Sequence, residues 1–401
     1  MQNVSKNLVI AMVVVLLVVV FAIVLFGRKT TETGEPTFLG KLFPESDPAT
    51  TRISPPYEGG GRGGLEELGA KEAGTITPTE AKNLPAGTLI RLSSDAVSSI
   101  VVNASTTRYH KNIVENPGHL FERQTDGSNE EKRVSNFTVP QILKVVWSSD
   151  AKKAIIFYNL NSEIKKILVD YTESTPKTNF LSETVSDAVF SPDSKSIVFI
   201  NDLEDTRNVF IANSSFSNQR KILDNTLPNL EISWPSANLI ALKTKSSYAI
   251  PGFLYTISAS GGNFSKVVES LGLDTIWNKD GSGLVYTDSD LNLFYLDVKT
   301  GANKSLGLKT IAEKCVFSKT KTNVVYCAIP KIINDANYPD EWWQGKISFE
   351  DNIIAVDTKT LDLVLYAETL SDIVNPVLLE NDSYVLFKDR NTGELWSLKL
   401  K

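Results

Sequence analysis

A short unit at residues 190–199, Phe-Ser-Pro-Asp-Ser-Lys-Ser-Ile-Val-Phe, recurs along the chain and constrains its fold more than any other feature. Each copy has a bulky residue, a turn rich in Ser, Asp, Asn, Lys and Gly, and then a β-branched and aromatic run, which is typical of two strands joined by a tight turn. The copies follow one another at intervals of 43, 44, 43, 40 and 61 residues, and the last lacks the aromatic. They begin at Trp147, Phe190, Trp234, Trp277, Phe317 and Leu378.

A second pair of strands follows most of these hairpins. Apolar strand, polar turn and apolar strand recur in the segments that begin at Asn208, Gly252, Asn292 and Asn352. Four strands in about forty residues, without helical periodicity, are typical of a β-propeller blade. A two-sheet sandwich is the competing architecture, but it does not require such even spacing. Asp297 and Asp357 occupy matching turn positions, where a carboxylate bonds the turn backbone.

The number of blades depends on how the two ends of the repeat region meet. The chain ends after a strand at 394–401, one strand short of a complete blade. Residues 88–93 resemble a blade-closing strand, and a divergent first blade follows from Val97. If residues 88–93 supply the missing strand, the ring has no open edge. We therefore predict an all-β, seven-bladed propeller over residues 85–401, with six or eight blades as alternatives.

The turns of three copies carry a resemblance to a known family. The segments starting at Trp147, Phe190 and Trp277 read WSSD, FSPD and WNKDG, and these resemble the WD40-like (PD40) repeats of TolB-type β-propellers. The copies at Trp234 and Phe317 depart from this pattern. The resemblance implies a propeller fold without implying an activity, because such propellers serve as scaffolds, as peptidase gates and as ligand binders. The chain also resembles membrane-anchored propeller proteins of bacteria, which implies a cell-envelope location.

The N-terminal part of the chain has a different composition. After a short tail at 1–7, residues 8–26 are nineteen consecutive apolar residues, enough for a helix to span the hydrocarbon core of a bilayer. A cleaved signal peptide is the alternative, although residues 26–29, Phe-Gly-Arg-Lys, offer no small-residue cleavage site. Residues 27–84 are dense in Gly, Pro, Ser, Thr and Glu, which predicts a disordered linker.

Two cysteines bear on the side of the membrane that the propeller occupies. Pairing Phe317 with Val325 in an antiparallel hairpin places Cys315 opposite Cys327, close enough for a disulfide. Two buried free thiols are the alternative. A disulfide would indicate an oxidising compartment, so we predict a single-pass protein of the cell membrane with an extracytoplasmic propeller. A scaffold facing the cytosol is the less favoured topology.

One blade is about twenty residues longer than the others, and its insertion at 330–352 is rich in aromatic and acidic residues. Propeller loops emerge on the faces of the ring, and Trp and Tyr are enriched at binding hot spots. The alternative is that the tryptophans fold back and fill space. The candidate binding residues are Tyr338, Asp340, Glu341, Trp342 and Trp343.

No catalytic constellation or cofactor motif stands out. The only histidines are His110 and His119, which leaves little material for a histidine metal site or a Ser-His-Asp triad. The segment from Asp288 resembles the start of a calcium loop, but Leu293 and Lys299 stand where Gly and Glu are needed. We predict no catalytic residue, no metal and no cofactor. Carboxylates that meet only in three dimensions would escape this search.

These observations favour a binding protein. A net charge of −6 disfavours a nucleic-acid partner. We therefore predict a membrane-tethered scaffold of the cell envelope that binds a protein, a peptide or another ligand. The alternative is an extracytoplasmic hydrolase that acts on glycan or cell-wall material through carboxylates of the central channel. The sequence does not predict the oligomeric state.

Overall fold

The structure, a computed structural model, describes residues 69–113, 115–173 and 175–401. The predicted tail at 1–7, the predicted membrane segment at 8–26 and most of the predicted linker lie outside the described residues. Within the described ranges, no helix is both long enough and apolar enough to cross a bilayer.

The described part of the chain contains seven sheets, which are antiparallel apart from one short strand pair in the last, so the predicted seven-bladed propeller is confirmed. Blade one comprises β3 (Val97–Asn103), β4 (Thr106–Ile113), β5 (Asn116–Gln124) and β6 (Lys132–Ser135). Blade two comprises β7 (Ile142–Trp147), β8 (Lys153–Leu160), β9 (Glu163–Asp170) and β10 (Lys177–Phe180). Blade three comprises β11 (Val185–Phe190), β12 (Ser196–Leu203), β13 (Thr206–Asn213) and β14 (Arg220–Leu223).

The next three blades follow in chain order. Blade four comprises β15 (Leu230–Ser236), β16 (Leu239–Thr244), β17 (Pro251–Ser258) and β18 (Ser265–Leu271). Blade five comprises β19 (Asp274–Trp277), β20 (Gly283–Thr287), β21 (Asn292–Asp297) and β22 (Asn303–Lys309). Blade six follows a 3₁₀ helix (Ala312–Lys314) and comprises β23 (Cys315–Phe317), β24 (Val324–Pro330), β25 (Asp351–Asp357) and β26 (Leu363–Glu368).

Blade seven joins the two ends of the propeller. It comprises β27 (Ile373–Leu378), β28 (Tyr384–Asp389) and β29 (Leu395–Lys399), then β2 (Leu89–Ser93) and β1 (Lys71–Glu72). The strand β2 pairs antiparallel with β29, with Leu89 opposite Leu398, which confirms the predicted closing strand. Because β27 contacts β3 of blade one, the seven sheets form a closed ring.

The folded region begins before the predicted boundary at residue 85. The strand β1 pairs parallel with β2, and the helix α1 (Pro78–Asn83) follows it. Thr77 and Glu80 form a reciprocal capping box at the start of α1. Ile76 and Ala81 are buried in the core of blade seven. The Thr- and Pro-rich composition obscured this short helix, whose stability comes from packing against the propeller.

The repeated hairpin has the predicted structural role. In the best-preserved copy, the hydroxyl of Ser191 donates to Asp193 Oδ1 at 2.6 Å and accepts from the backbone N–H of Ser196 at 2.9 Å. Ser148 and Asp150 repeat the first of these bonds at 2.6 Å in blade two. Asp193 therefore fixes a turn, and its hydrogen bond from Ser191 lowers the pKa of its carboxyl.

The core lies between neighbouring blades. In β8 the consecutive residues Ile155 and Ile156 are both fully buried, and they face opposite neighbours, blade three and blade one respectively. Each blade is covered on both faces, so its second strand reads as a continuous apolar run instead of an alternating one. Burying one such side chain contributes about 1.5–3 kcal/mol.

The two cysteines lie opposite each other in blade six. The register pairs Cys315 of β23 with Cys327 of β24, and their Sγ atoms are 2.08 Å apart in a disulfide. Both residues are buried in the apolar cluster between blades five and six.

Candidate binding site at the channel mouth

The insertion of blade six lies on one face of the ring. It connects the end of β24 to the start of β25, and strand direction alternates within each blade. This face is therefore the one at which the first strand of every blade begins. We call it the upper face.

The apolar side of the insertion packs onto the propeller. The insertion contains one short helix, α2 (Asp340–Trp343). Tyr338, Trp342 and Phe349 are buried, and Trp342 is only 1% exposed. They pack with Leu291 of blade five and Val374 of blade seven. The insertion therefore spans the upper ends of blades five to seven. The role of Tyr338 and Trp342 is to pack the insertion against the propeller.

A buried charge network lies beneath Trp342. The Nζ atom of Lys314 is 2.7 Å from Asp351 Oδ2 and 2.7 Å from Asp372 Oδ1, and all three side chains are completely buried. The indole N–H of Trp342 donates to Asp372 Oδ2 at 2.9 Å. Lys314 Nζ also lies 4.7 Å from the ring centroid of Phe349. The aromatic residues of the insertion thus complete the surroundings of a buried cation.

Arg390 of blade seven holds the other side of the insertion. Its guanidinium carbon lies 4.6 Å from the ring centroid of Trp342, a cation–π distance. The guanidinium donates to the carbonyl oxygen of Trp342 and, at 3.3 Å, to that of Trp343. These bonds satisfy carbonyl groups at the end of α2, so the backbone of the two tryptophans is fixed from below.

A set of polar residues occupies one equivalent position at the start of the blades, three residues before the hairpin's bulky residue. These residues are Lys144, Asp187, Glu231, Asp274, Lys314 and Asn375. Lys144 pairs with Asp187 at 2.7 Å. Lys243 lies between Glu231, at 2.9 Å, and Asp274, at 2.8 Å. Although the spacing signal was present in the sequence, the sequence reasoning missed this rim of charges.

Two rim carboxylates, and Asp351 of the buried network, also tie one blade to the next. Asp187 Oδ2 of blade three accepts from the backbone N–H of Ile232 in blade four at 3.0 Å. Asp274 Oδ2 of blade five accepts from the N–H of Glu313 at 2.6 Å, just before blade six. Asp351 Oδ2 of blade six makes the same bond to Ile373 of blade seven at 2.7 Å. The rim therefore fixes the upper ends of the blades.

A cleft of about 350 Å³ opens between α2 and the loop at residues 245–250 of blade four. Its walls include Lys245, Ser247, Ile250, Asp340, Trp343 and Gln344. The backbone N–H of Tyr248 donates to Asp340 Oδ2 at 3.1 Å, which joins the insertion to the loop of blade four. Asp340, Glu341 and Trp343 are all half-buried. Of the five predicted binding residues, Asp340 and Trp343 line this cleft.

One carboxyl group near the cleft has a raised pKa. Burial raises the pKa of Glu313 to about 7, and the neighbouring Asp274 carboxylate adds to the effect, while Lys243 opposes it. The side chain of Trp343 also lies beside Glu313 and favours the ionised form of its carboxyl. Burial likewise raises the pKa of Asp351 to about 6, which outweighs the attraction of Lys314. Two carboxyl groups beneath the insertion can therefore change charge near neutral pH.

The histidines lie away from this cleft, in blade one. His110 is completely buried, with Nδ1 2.8 Å from Ser99 Oγ and Nε2 2.9 Å from the hydroxyl of Tyr171. Its ring stacks on Trp147 with centroids 5.2 Å apart. Burial lowers the pKa of His110 to about 3, so the ring is neutral and structural. His119 bonds Thr138 at 3.1 Å.

In the part of the chain that the structure describes, no group of three or more His, Cys, Asp or Glu residues is placed to hold a metal ion.

Comparison with known proteins agrees with this architecture. No protein-family model and no curated protein matches the chain. An oligogalacturonate lyase from Vibrio parahaemolyticus matches with a TM-score of 0.58 and 12% identity, over 78% of this chain and 93% of that one. A second oligogalacturonate lyase, in complex with manganese, matches with a TM-score of 0.55 and 13% identity, over 79% and 99%. The chain is a seven-bladed β-propeller.

TolB from Acinetobacter baumannii is also among the solved structures that match, with a TM-score of 0.42 and 15% identity, over 76% of this chain and 63% of that one. The hairpin repeats and the seven blades confirm the predicted propeller fold. At these identities the likenesses concern the fold alone.

Proposed function

We propose that this protein is a binding scaffold of the cell envelope and that its partner site is the upper-face cleft beside Trp343. The proposal rests on the different surroundings of two neighbouring tryptophans of α2. Trp342 is buried and anchors the insertion, whereas Trp343 is half-buried and forms a wall of the cleft with Asp340. The insertion thus presents an aromatic side chain at a fixed place.

The chemistry of the cleft suits a segment of protein or peptide. Ile250 and Trp343 supply apolar surface, and Lys245 and Asp340 supply charges of opposite sign. Because Arg390 and the buried network hold the backbone of α2, binding would order few groups that are free beforehand. A held Trp in a partly desolvated cleft is a typical hot spot.

The cellular placement belongs to the same proposal. The apolar segment at 8–26 would anchor the chain, and the composition of the following residues would let the propeller stand clear of the bilayer. The pairing of Cys315 with Cys327 supports an oxidising, extracytoplasmic location. Protease treatment of intact cells tests it, because an extracytoplasmic propeller is digested and a cytosolic one survives.

Crosslinking and co-purification from native membranes test the binding function. The wild type is compared with Trp343→Ala, which removes one wall of the cleft and leaves Trp342 in place. Phe180→Ala is the matched control, since Phe180 is an aromatic residue of blade two that is 70% exposed. We expect Trp343→Ala alone to lose a partner that the wild type and Phe180→Ala retain. An unchanged set of partners would contradict the proposal.

A second candidate function rests on Glu313 and Asp274. Hydrolysis of a glycosidic bond uses two carboxyl groups, one of them protonated near neutral pH. Glu313 has a pKa raised to about 7 and lies beside Asp274, so the upper face holds a carboxyl group suited to the acid role. The alternative is therefore an extracytoplasmic hydrolase of glycan or cell-wall material. The shared fold with oligogalacturonate lyases is compatible with such a role but does not assign it.

The two candidates differ in their response to Glu313→Gln. This change keeps the size of the side chain and removes its acid function. A hydrolase would release reducing ends from cell-wall glycan fragments, and Glu313→Gln would abolish that release. A binding scaffold releases none in either form, and it retains its partner in the Glu313→Gln variant.

A further inference from the structure

A second cleft opens on the upper face, between blades two and three, with a volume of about 570 Å³. It shares no lining residue with the cleft beside Trp343. Blade two supplies an apolar wall formed by Leu143, Phe157 and Ile164, and Asp202 of blade three lies on the facing, polar wall. Leu143 and Ile164 are 57% and 52% exposed. The volume and the apolar wall are those of a site for a small molecule.

Two charged groups of this cleft have no ionic partner among the described residues. Lys166 is only 8% exposed, and within the described chain its ammonium donates a hydrogen bond only to the carbonyl oxygen of Glu183, at 2.8 Å. Asp202 Oδ1 is buried and has no hydrogen-bond partner in the described chain. By contrast, the other two charged side chains of the cleft, those of Lys144 and Glu183, each lie in an ion pair.

The two unpaired groups carry opposite charges. Burial lowers the pKa of the Lys166 ammonium, although Glu183 and Asp202 favour its charged form. An ammonium held by a single neutral acceptor gains from a charged one, because charge-assisted hydrogen bonds are about twice as strong as neutral ones. The same holds for a carboxylate that lacks a charged donor. A ligand that carries both charges therefore suits this cleft better than one with a net charge.

We propose that the cleft between blades two and three binds the zwitterion of an apolar amino acid or of a short apolar peptide. The carboxylate of the ligand accepts from Lys166, and its ammonium donates to the carboxylate of Asp202. Its aliphatic side chain packs against Leu143 and Ile164, which removes apolar surface from water on both sides. This site and the proposed partner site beside Trp343 take different classes of ligand, so each can be tested without the other.

Calorimetric titration of the full chain in mild detergent tests the ligand class. The probes are L-leucine and L-leucyl-L-leucine. Glycine keeps both charges without the apolar side chain, and N-acetyl-L-leucinamide keeps the side chain without the charges. We expect at least one zwitterionic leucine probe to bind at one site per chain, and both comparison compounds to bind at least about tenfold more weakly. Failure of both leucine probes to bind, or equal affinity for N-acetyl-L-leucinamide, would overturn the proposal.

Two variants assign the binding to this cleft. Lys166→Met keeps the length of the side chain and removes its charge, and Asp202→Asn keeps the size and removes the opposite charge. We expect each to weaken binding of the leucine probe by about tenfold or more. Lys177→Met is the control, because Lys177 belongs to the same blade, lies outside the cleft and is 71% exposed.

Circular dichroism spectra and melting temperatures show whether the variants remain folded. If the loss of its bond to Glu183 unfolds Lys166→Met, the Asp202→Asn variant decides the outcome. Unchanged affinity in a folded Asp202→Asn variant, or an equal loss in Lys177→Met, would contradict the assignment.

Discussion

Trp342 and Trp343 are consecutive residues of α2 with different surroundings. The indole of Trp342 is buried among Tyr338, Phe349 and Arg390 and donates to Asp372. The side chain of Trp343 is half-buried at the cleft. Neighbouring residues of a helix point in directions about 100° apart, so one of them anchors the insertion while the other faces a ligand.

The two tryptophans should therefore respond differently to replacement by alanine. Trp342→Ala removes a large buried side chain and leaves Asp372 without one of its donors, so we expect a loss of about 3–5 kcal/mol in the free energy of unfolding. Trp343→Ala should cost about 1 kcal/mol or less. Denaturant unfolding measures both. Equal losses would show that the assignment of the two roles is wrong.

His110 should make the propeller sensitive to acid. Its pKa is lowered to about 3 in the folded protein by burial, against about 6.5 for an unfolded histidine. The unfolded chain therefore binds a proton first as the pH falls. The contribution of His110 to stability is complete above pH 6.5 and is lost between pH 6.5 and about 3, by roughly 1.4 kcal/mol per pH unit.

Melting temperatures between pH 7 and pH 4 test this prediction. His110→Gln cannot take up a proton, so we expect its melting temperature to fall less over this interval than that of the wild type. His119→Gln, in the same blade, is the comparison. Partial burial and the nearby Arg133 also lower the pKa of His119, so we expect this variant to reduce the slope, but by less than His110→Gln does. A His110→Gln variant with the full wild-type slope would exclude His110 as the cause.

At the scale of elements, the insertion of blade six rests on the buried cation of Lys314. Lys314→Met keeps the length of the side chain, leaves Asp351 buried without its counter-ion and leaves Asp372 only the guanidinium of Arg390, 3.8 Å away. We expect a loss of about 3–5 kcal/mol in the free energy of unfolding, because removing one partner of a buried ion pair leaves the other charge buried without compensation. Lys144→Met is the control at the equivalent position of blade two, where Lys144 is 48% exposed, and it should cost about 1 kcal/mol or less.

Chemical denaturation of the two variants measures this difference. Limited proteolysis adds a local readout, since Lys314→Met should expose the peptide bonds of the insertion before those of the blades. Similar stability of both variants would mean that the network does not hold the insertion.

The strands could be predicted from the sequence, and the site only in part. A hairpin such as 190–199 contains its own turn and its own apolar strand, so local chemistry is sufficient to identify it. The side on which α2 rests depends on Arg390, Asp372 and Val374 from another blade. The pairing of Lys243 with Asp274 also joins two blades. No local sequence pattern indicates these contacts between blades, so the sequence did not distinguish Trp342 from Trp343 as candidate binding residues.

At the scale of the whole molecule, the ring is closed by residues from both ends of the propeller. β2 and β29 share blade seven, and α1 and β1 extend the fold ahead of the closing strand. The predicted start at residue 85 missed these elements because they are held by the sheet of blade seven. Lys399 Nζ donates to the carbonyl oxygen of Ala81 in α1, 318 residues away in the chain, and β1 pairs with β2. The predicted membrane segment at 8–26 stays a prediction.

The disulfide connects the fold with the compartment. If the propeller is extracytoplasmic, Cys315 and Cys327 of protein isolated from cells should be bonded. We expect no labelling by maleimide after denaturation without reductant, and labelling of two thiols per chain after reduction. Full labelling without reductant, under conditions that prevent exchange during isolation, would contradict the extracytoplasmic placement.

The central claim is that the cleft beside Trp343 binds the partner of this propeller. A photo-crosslinking amino acid at Gln344, an exposed residue of the cleft, tests it most directly in native membranes. The same probe at Phe180 is the control. The account predicts a discrete adduct from position 344 that is lost with Trp343→Ala and absent from position 180. No adduct at 344, or one that Trp343→Ala leaves unchanged, would contradict it.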